Sequence, residues 1–171
     1  MRRAVFLDRD GVINRAIVRD GRPYPPASLA EVEILPGVSD ALRVLHAKGF
    51  MLIVVTNQPD VARGTTQKDT VEKINASLAA ELKIDEFRVC YHDNEDRCDC
   101  RKPKAGALIA ASKKHGVDLG GSYMVGDRWR DIQAGQAAGC KTIFIDYGYQ
   151  EKQPKSPDYR CRSLTEATAF I

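Results

Sequence analysis

Short apolar runs recur along the chain, and most are followed by stretches whose apolar residues fall three and four positions apart. Ala4–Leu7, Met51–Val55, Arg88–Tyr91, Tyr123–Val125 and Thr142–Ile145 are too short for helices and read as buried strands. Between them, Val38–Lys48 brings Val38, Leu42 and Leu45 to one helical face, with Gly49 as a left-handed stop. The segment near Lys68–Leu82 aligns Val71, Ile74, Leu78 and Leu82, and Thr66 and Asp69 are its start signals. Ala105–His115 stops at Gly116 and Asp131–Ala138 at Gly139, while a short last helix is predicted from Ser163, with Glu166 three residues on.

This alternation predicts an α/β fold, a three-layer Rossmann-like parallel sheet with helices on both faces. Two segments break the rhythm. Val12–Pro36 carries Pro23, Pro25, Pro26 and Pro36 and reads as an ordered flap; Asp93–Lys104 is read as the segment holding the cysteine cluster. Neither is long enough for a separate cap domain, so residues 1–171 are expected to form a single domain. Gln150–Pro157 reads as a surface connector, and there are no internal repeats.

Composition narrows the function. With 43% apolar and 29% charged residues the chain is globular, and at 171 residues it can bury roughly 70% of its unfolded surface. A net charge of +3, spread along the chain, gives no reason to expect nucleic acid as a partner. The same cations near a pocket would suit a small anionic substrate. No stretch approaches the ~20 apolar residues of a membrane span. Met1-Arg2-Arg3 leads into an apolar run that meets Asp8 at once, without a cleavage site, so a cytoplasmic protein with no membrane partner is expected. Neither heptads nor a long apolar edge calls for a dimer, and a monomer is expected.

Ligands of such sheets bind beyond the carboxyl ends of the strands. Asp8 and Asp10 follow the first strand, Thr56 the second, and Gly126-Asp127 the fourth. A carboxylate such as Asp8 can attack phosphorus and split hydrolysis into two steps. Asp10 can protonate the leaving oxygen and then deprotonate water. Two carboxylates facing a phosphate call for a divalent cation, and oxygen ligation with Asp127 suits Mg²⁺. Lys102 and Thr56 are candidates to hold the phosphoryl oxygens. Each element alone is commonplace in turns and loops; their ordered combination is not.

Five cysteines in a reducing compartment point to metal rather than disulfides. Cys90-Tyr-His92 and Cys98-Asp-Cys100 place three thiols and an imidazole within residues 90–100, a full tetrahedral set for structural Zn²⁺. The loop ends at Arg101-Lys102, so a bound zinc would fix both cations at the rim. Cys140 and Cys161 stand apart.

Asp8-Arg-Asp10-Gly11, Thr56-Asn57-Gln58, Arg101-Lys102-Pro103-Lys104 and Gly126-Asp127…Asp131 resemble the four motifs of the haloacid dehalogenase superfamily. More narrowly the chain resembles the D,D-heptose 1,7-bisphosphate phosphatases and the related histidinol-phosphate phosphatases, from about Ala4 to Tyr147. The resemblance implies Asp8 as nucleophile and Asp10 as general acid/base. It implies Thr56, with Asn57 beside it, and Lys102 as phosphoryl-binding groups. Mg²⁺ would be held by Asp8, Asp127 and the main-chain carbonyl of Asp10, zinc by Cys90, His92, Cys98 and Cys100, and substrate by Arg101 and Arg128.

The expected substrate is a small phosphorylated sugar, with a heptose 1,7-bisphosphate cleaved at its 7-phosphate ahead of histidinol phosphate. A zinc-stabilised binding module is the alternative outside enzymes, and the intact set of catalytic residue types speaks against it. Pro59-Asp60 stands where the family commonly shows Ser-Gly, which fixes that turn and removes an N–H donor near the substrate.

Overall fold

The computed structural model describes residues 1–171. Its strands are β1 (Arg3–Leu7), a hairpin of β2 (Ile17–Arg19) and β3 (Arg22–Tyr24), β4 (Phe50–Asn57), β5 (Glu86–Cys90), β6 (Tyr123–Gly126), β7 (Lys141–Ile145) and β8 (Tyr159–Cys161). Six of them form one sheet in the order β5-β4-β1-β6-β7-β8, and every neighbouring pair is parallel. The helices are α1 (Val38–Ala47), α2 (Lys68–Glu81), α3 (Gly106–His115), α4 (Trp129–Ala138) and α5 (Leu164–Ala167). None is long and apolar enough to cross a membrane.

The alternation of β1 builds the three layers. Val5 and Leu7 point into a cluster with Leu42 and Leu45 of α1, Ile74 and Leu78 of α2 and Leu164 of α5. Ala4 and Phe6 point the other way, against Leu108 and Ala111 of α3 and Ala134 of α4. Both faces of the central strand are therefore dry, which is why its run is continuously apolar.

Several boundaries differ from the sequence reading. The sixth strand, β8, was not anticipated: three residues with a polar centre carry no period, and β7 recruits them through the pairs Ile143–Tyr159 and Ile145–Cys161. β5 begins at Glu86 rather than Arg88 because its register against β4 starts at the Ile53–Glu86 pair. α4 begins at Trp129, so Asp131 lies inside the first turn and reaches back to accept from the Arg128 N–H at 3.0 Å. Ser163 does cap α5, accepting from the Glu166 N–H at 3.1 Å. The flap folds as the β2–β3 hairpin followed by a single 3-10 turn at Leu29–Glu31. Gln150 is not free surface chain, since its N–H donates to the Gly21 carbonyl at the hairpin tip at 2.8 Å.

Candidate active site

From β1 the chain adds β4 and β5 on one side and β6, β7 and β8 on the other. The crevice between β1 and β6 is thus a topological switch point, where open parallel sheets bind ligands. A cavity of about 310 Å³ opens there, lined by Asp8, Asp10, Asn57, Lys102, Asp131 and a set of arginines.

Asp8 continues the ladder past the end of β1, its N–H bonded to the Val125 carbonyl at 3.0 Å. Its Oδ1 accepts from the Arg9 N–H and from Lys102 Nζ, both at 2.9 Å, which leaves Oδ2 without a hydrogen-bond partner. Burial first, and then the charge of Asp131, push the Asp8 carboxyl up to about 6. Lys102 is 2% exposed and spends its ammonium on Asp8, on Asp131 at 2.6 Å and on the Val55 carbonyl at 2.7 Å. Burial opposes that charge, but Asp131 and Asp8 outweigh it and hold the amine above the ordinary lysine value.

Carboxylate oxygens of Asp8, Asp127 and Asp131 lie within 4.8 Å of one another. Asp127 Oδ1 is buried with no partner, and Oδ2 accepts from the Tyr149 hydroxyl at 2.7 Å. Burial, followed by Asp8 and Asp131, drives the Asp127 carboxyl well above its usual range. An orphaned buried oxygen amid three acids fits a hard divalent cation. Gly11 makes the approach possible: its φ is +88° and a Cβ there would lie 2.0 Å from Asp127 Oδ2.

The Asp10 side chain belongs to a second network. Its carboxylate accepts from Arg9 Nε at 3.1 Å, Asn14 Nδ2 at 3.0 Å and Gln58 Nε2 at 2.9 Å. Gln58 Nε2 also reaches Thr56 Oγ1 at 2.9 Å, and Arg9, fully buried, donates to Asn75 Oδ1 at 2.9 Å. Sequence reasoning missed Arg9, Asn14, Gln58 and Asn75, and passed over Asp131 as a ligand. Arg9 and Gln58 sit inside the quoted motifs; Asn75, on α2, has no local signal.

Asn57 spends its amide on the main chain of Lys102, donating to its carbonyl at 3.0 Å and accepting from its N–H at 3.1 Å. Arg101 donates to Asn94 Oδ1 at 3.0 Å. Arg128 lines the cavity with its guanidinium paired on both sides to Glu151, with Nε 3.1 Å from Oε1. Glu151 lies in the segment read as a connector.

Donor atoms of Cys90, His92, Cys98 and Cys100 also fall within 4.8 Å of one another. Burial pushes the Cys90 and Cys100 thiols up, whereas the Arg101 N–H and the neighbouring thiols overcome burial and pull Cys98 down to about 7. Three sulfurs and one imidazole nitrogen at this spacing are compatible with a tetrahedral zinc site. Cys140 and Cys161 are buried elsewhere as free thiols.

A buried aspartate at the tip of the leading strand, a buried lysine on it, and an acidic cluster beside it define a haloacid dehalogenase-like phosphatase. A HAD-hydrolase-like family model matches residues 99–167. The chain is 34% identical to the D-glycero-beta-D-manno-heptose-1,7-bisphosphate 7-phosphatase of Pasteurella multocida, over 100% of this chain and 97% of that protein. To the Escherichia coli K12 protein of the same name it is 40% identical, over 81% and 76%. The crystal structure of the D,D-heptose 1,7-bisphosphate phosphatase from B. bronchiseptica, complexed with magnesium and phosphate, superposes with a TM-score of 0.82 at 30% identity, covering 98% and 97%. The chain belongs to the family of these heptose bisphosphate phosphatases.

Proposed function

We propose that this phosphatase removes the 7-phosphate of D-glycero-D-manno-heptose 1,7-bisphosphate through an aspartyl-phosphate on Asp8. The observation that carries the reading is the pairing of Asp8 with Lys102 beside the Asp127–Asp131 cluster, in a mouth lined by arginines. Asp8 attacks phosphorus as the P–O bond to the sugar breaks, and Asp10 passes its proton to the departing oxygen. Asp10, now a carboxylate, takes a proton from water, which attacks phosphorus and frees Asp8. Thr56 and Lys102 hold the phosphoryl oxygens, and Arg101 and Arg128 present positive charge to the rest of the substrate.

Asp8 and Asp127, with the main-chain carbonyl of Asp10, would hold Mg²⁺, and Asp131 lies within reach of the same ion. When bound, the cation screens the negative charge that the carboxylates and the phosphate bring together. Cys90, His92, Cys98 and Cys100 would hold a structural zinc, which would shape the loop ahead of Arg101. Five cysteines without a disulfide suit a reducing cytoplasm, and the whole chain acts as one catalytic unit, a monomer without nucleic-acid or membrane partners. Histidinol phosphate, whose amine is cationic, suits a mouth of five arginines poorly.

The test ranks kcat/KM for the heptose bisphosphate anomers, heptose 7-phosphate and histidinol phosphate in the presence of Mg²⁺. The bisphosphate is expected to lead, and Asp8→Asn to abolish phosphate release. A lead for histidinol phosphate would overturn the substrate, and turnover by Asp8→Asn would overturn the nucleophile.

A further inference from the structure

Six cationic side chains line the cavity: Arg22, Arg63, Arg101, Lys102, Arg128 and Arg130. Four have anionic or amide partners. Lys102 binds Asp8 and Asp131, Arg63 binds Asp93 at 2.7 Å, Arg101 binds Asn94, and Arg128 binds Glu151. Arg22 and Arg130 have neither an ion pair nor a side-chain hydrogen bond, and Arg130 is the one held in place.

Arg130 is half-buried at the start of α4, with its guanidinium stacked 4.5 Å from the centre of the Trp129 ring. A guanidinium with no ion-pair or hydrogen-bond partner, in a mouth it shares with Arg101 and Arg128, gains most from an incoming anion. The stack fixes it beforehand, which lowers the entropy cost of binding. The guanidinium of Arg128 differs in this respect. Glu151 already occupies its fork, so a ligand there would have to displace a bidentate pair.

We propose that Arg130, helped by Arg22 from the β2–β3 hairpin, takes the second, non-transferred phosphate of the substrate and sets the preference for a bisphosphate. Arg128, paired with Glu151, lends its charge from the rim, and Arg130 adds the unpaired fork. This assignment rests on the bisphosphate reading above and names the side chain that enforces it.

The test compares kcat/KM for heptose 1,7-bisphosphate and heptose 7-phosphate across variants. In Arg130→Ala the preference is expected to fall about tenfold or more, carried by KM for the bisphosphate rather than by kcat. Arg130→Gln, which keeps the stem over Trp129, should lose it as well, and Arg130→Lys should keep part of it. Arg22→Ala should lose less. A preference that survives both Arg130→Ala and Arg130→Gln overturns the assignment and leaves the substrate reading standing. Wild-type protein that treats the two esters alike overturns that reading, and the subsite with it.

Discussion

The Tyr149 hydroxyl donates to Asp127 Oδ2 at 2.7 Å, joining the loop after β7 to an acid at the end of β6. Tyr149 stacks on Tyr147, whose own hydroxyl donates to the Gly11 carbonyl at 2.8 Å. With Gln150 on the hairpin tip and Glu151 on Arg128, this strap ties the loop after β1, the end of β6, the hairpin and the start of α4 together. Tyr149 fixes one oxygen of Asp127 and leaves the other orphaned. Tyr149→Phe is expected to weaken Mg²⁺ binding roughly tenfold, as lost support of a metal ligand does. Calorimetric titration of Mg²⁺ into the protein measures this without turnover, and an unchanged affinity would refute it.

Gly11→Ala should be more severe. The added Cβ would sit 2.0 Å from Asp127 Oδ2, and the positive φ costs roughly 1–2 kcal/mol for any L side chain. Asp127 would have to leave the cluster. The expected result is loss of Mg²⁺ binding together with a lower Tm; a variant that binds Mg²⁺ as the parent does would show that Asp127 has another place to stand.

The acidic cluster sets a pH signature for metal-free protein. The folded-state value of Asp8, about 6, lies above its ordinary 3.8, and Asp127 shifts the same way. The folded state therefore holds extra protons between those values, so these groups destabilise it progressively as pH rises from about 4 to about 6. For Asp8 the difference is on the order of 3 kcal/mol. Tm without divalent ions should fall between about pH 4 and 6 on this account, and the gain in Tm on adding Mg²⁺ should grow as pH rises through about 6. A gain independent of pH would place the ion elsewhere.

The frame was legible because it rests on local rules. Val5 and Leu7 face one layer and Ala4 and Phe6 the other, so the run before Asp8 could only be a doubly buried strand. The acids at its end, Thr56 and Asp127 follow from the same logic of strand tips. The supports of those groups are a different matter. Arg9 meets Asn75 across 66 positions, and Arg128 meets Glu151 across 23. No period or turn signal encodes such pairs; they exist only once the crossovers have stacked α2 and the late loop against the site. β8 was invisible for the same reason, its three residues being organised by the edge of β7.

Disabling the proposed zinc donors of the cysteine loop would separate a structural part from the chemistry. Arg101 leans on Asn94 and on the His92 carbonyl, at 3.0 and 3.4 Å, so its place depends on the loop's shape. Lys102 is held separately, by Asn57 and by two buried carboxylates. Cys98→Ser with Cys100→Ser should therefore abolish zinc content, lower Tm and raise KM several-fold. Phosphorylation of Asp8 at saturating substrate should persist. If the covalent step fails along with KM, the loop also positions Lys102, and the Asn57 latch is not sufficient. Asn57→Ala then supplies the complementary arm: it should lower kcat with zinc content intact, because it frees the Lys102 main chain and leaves the four metal donors untouched.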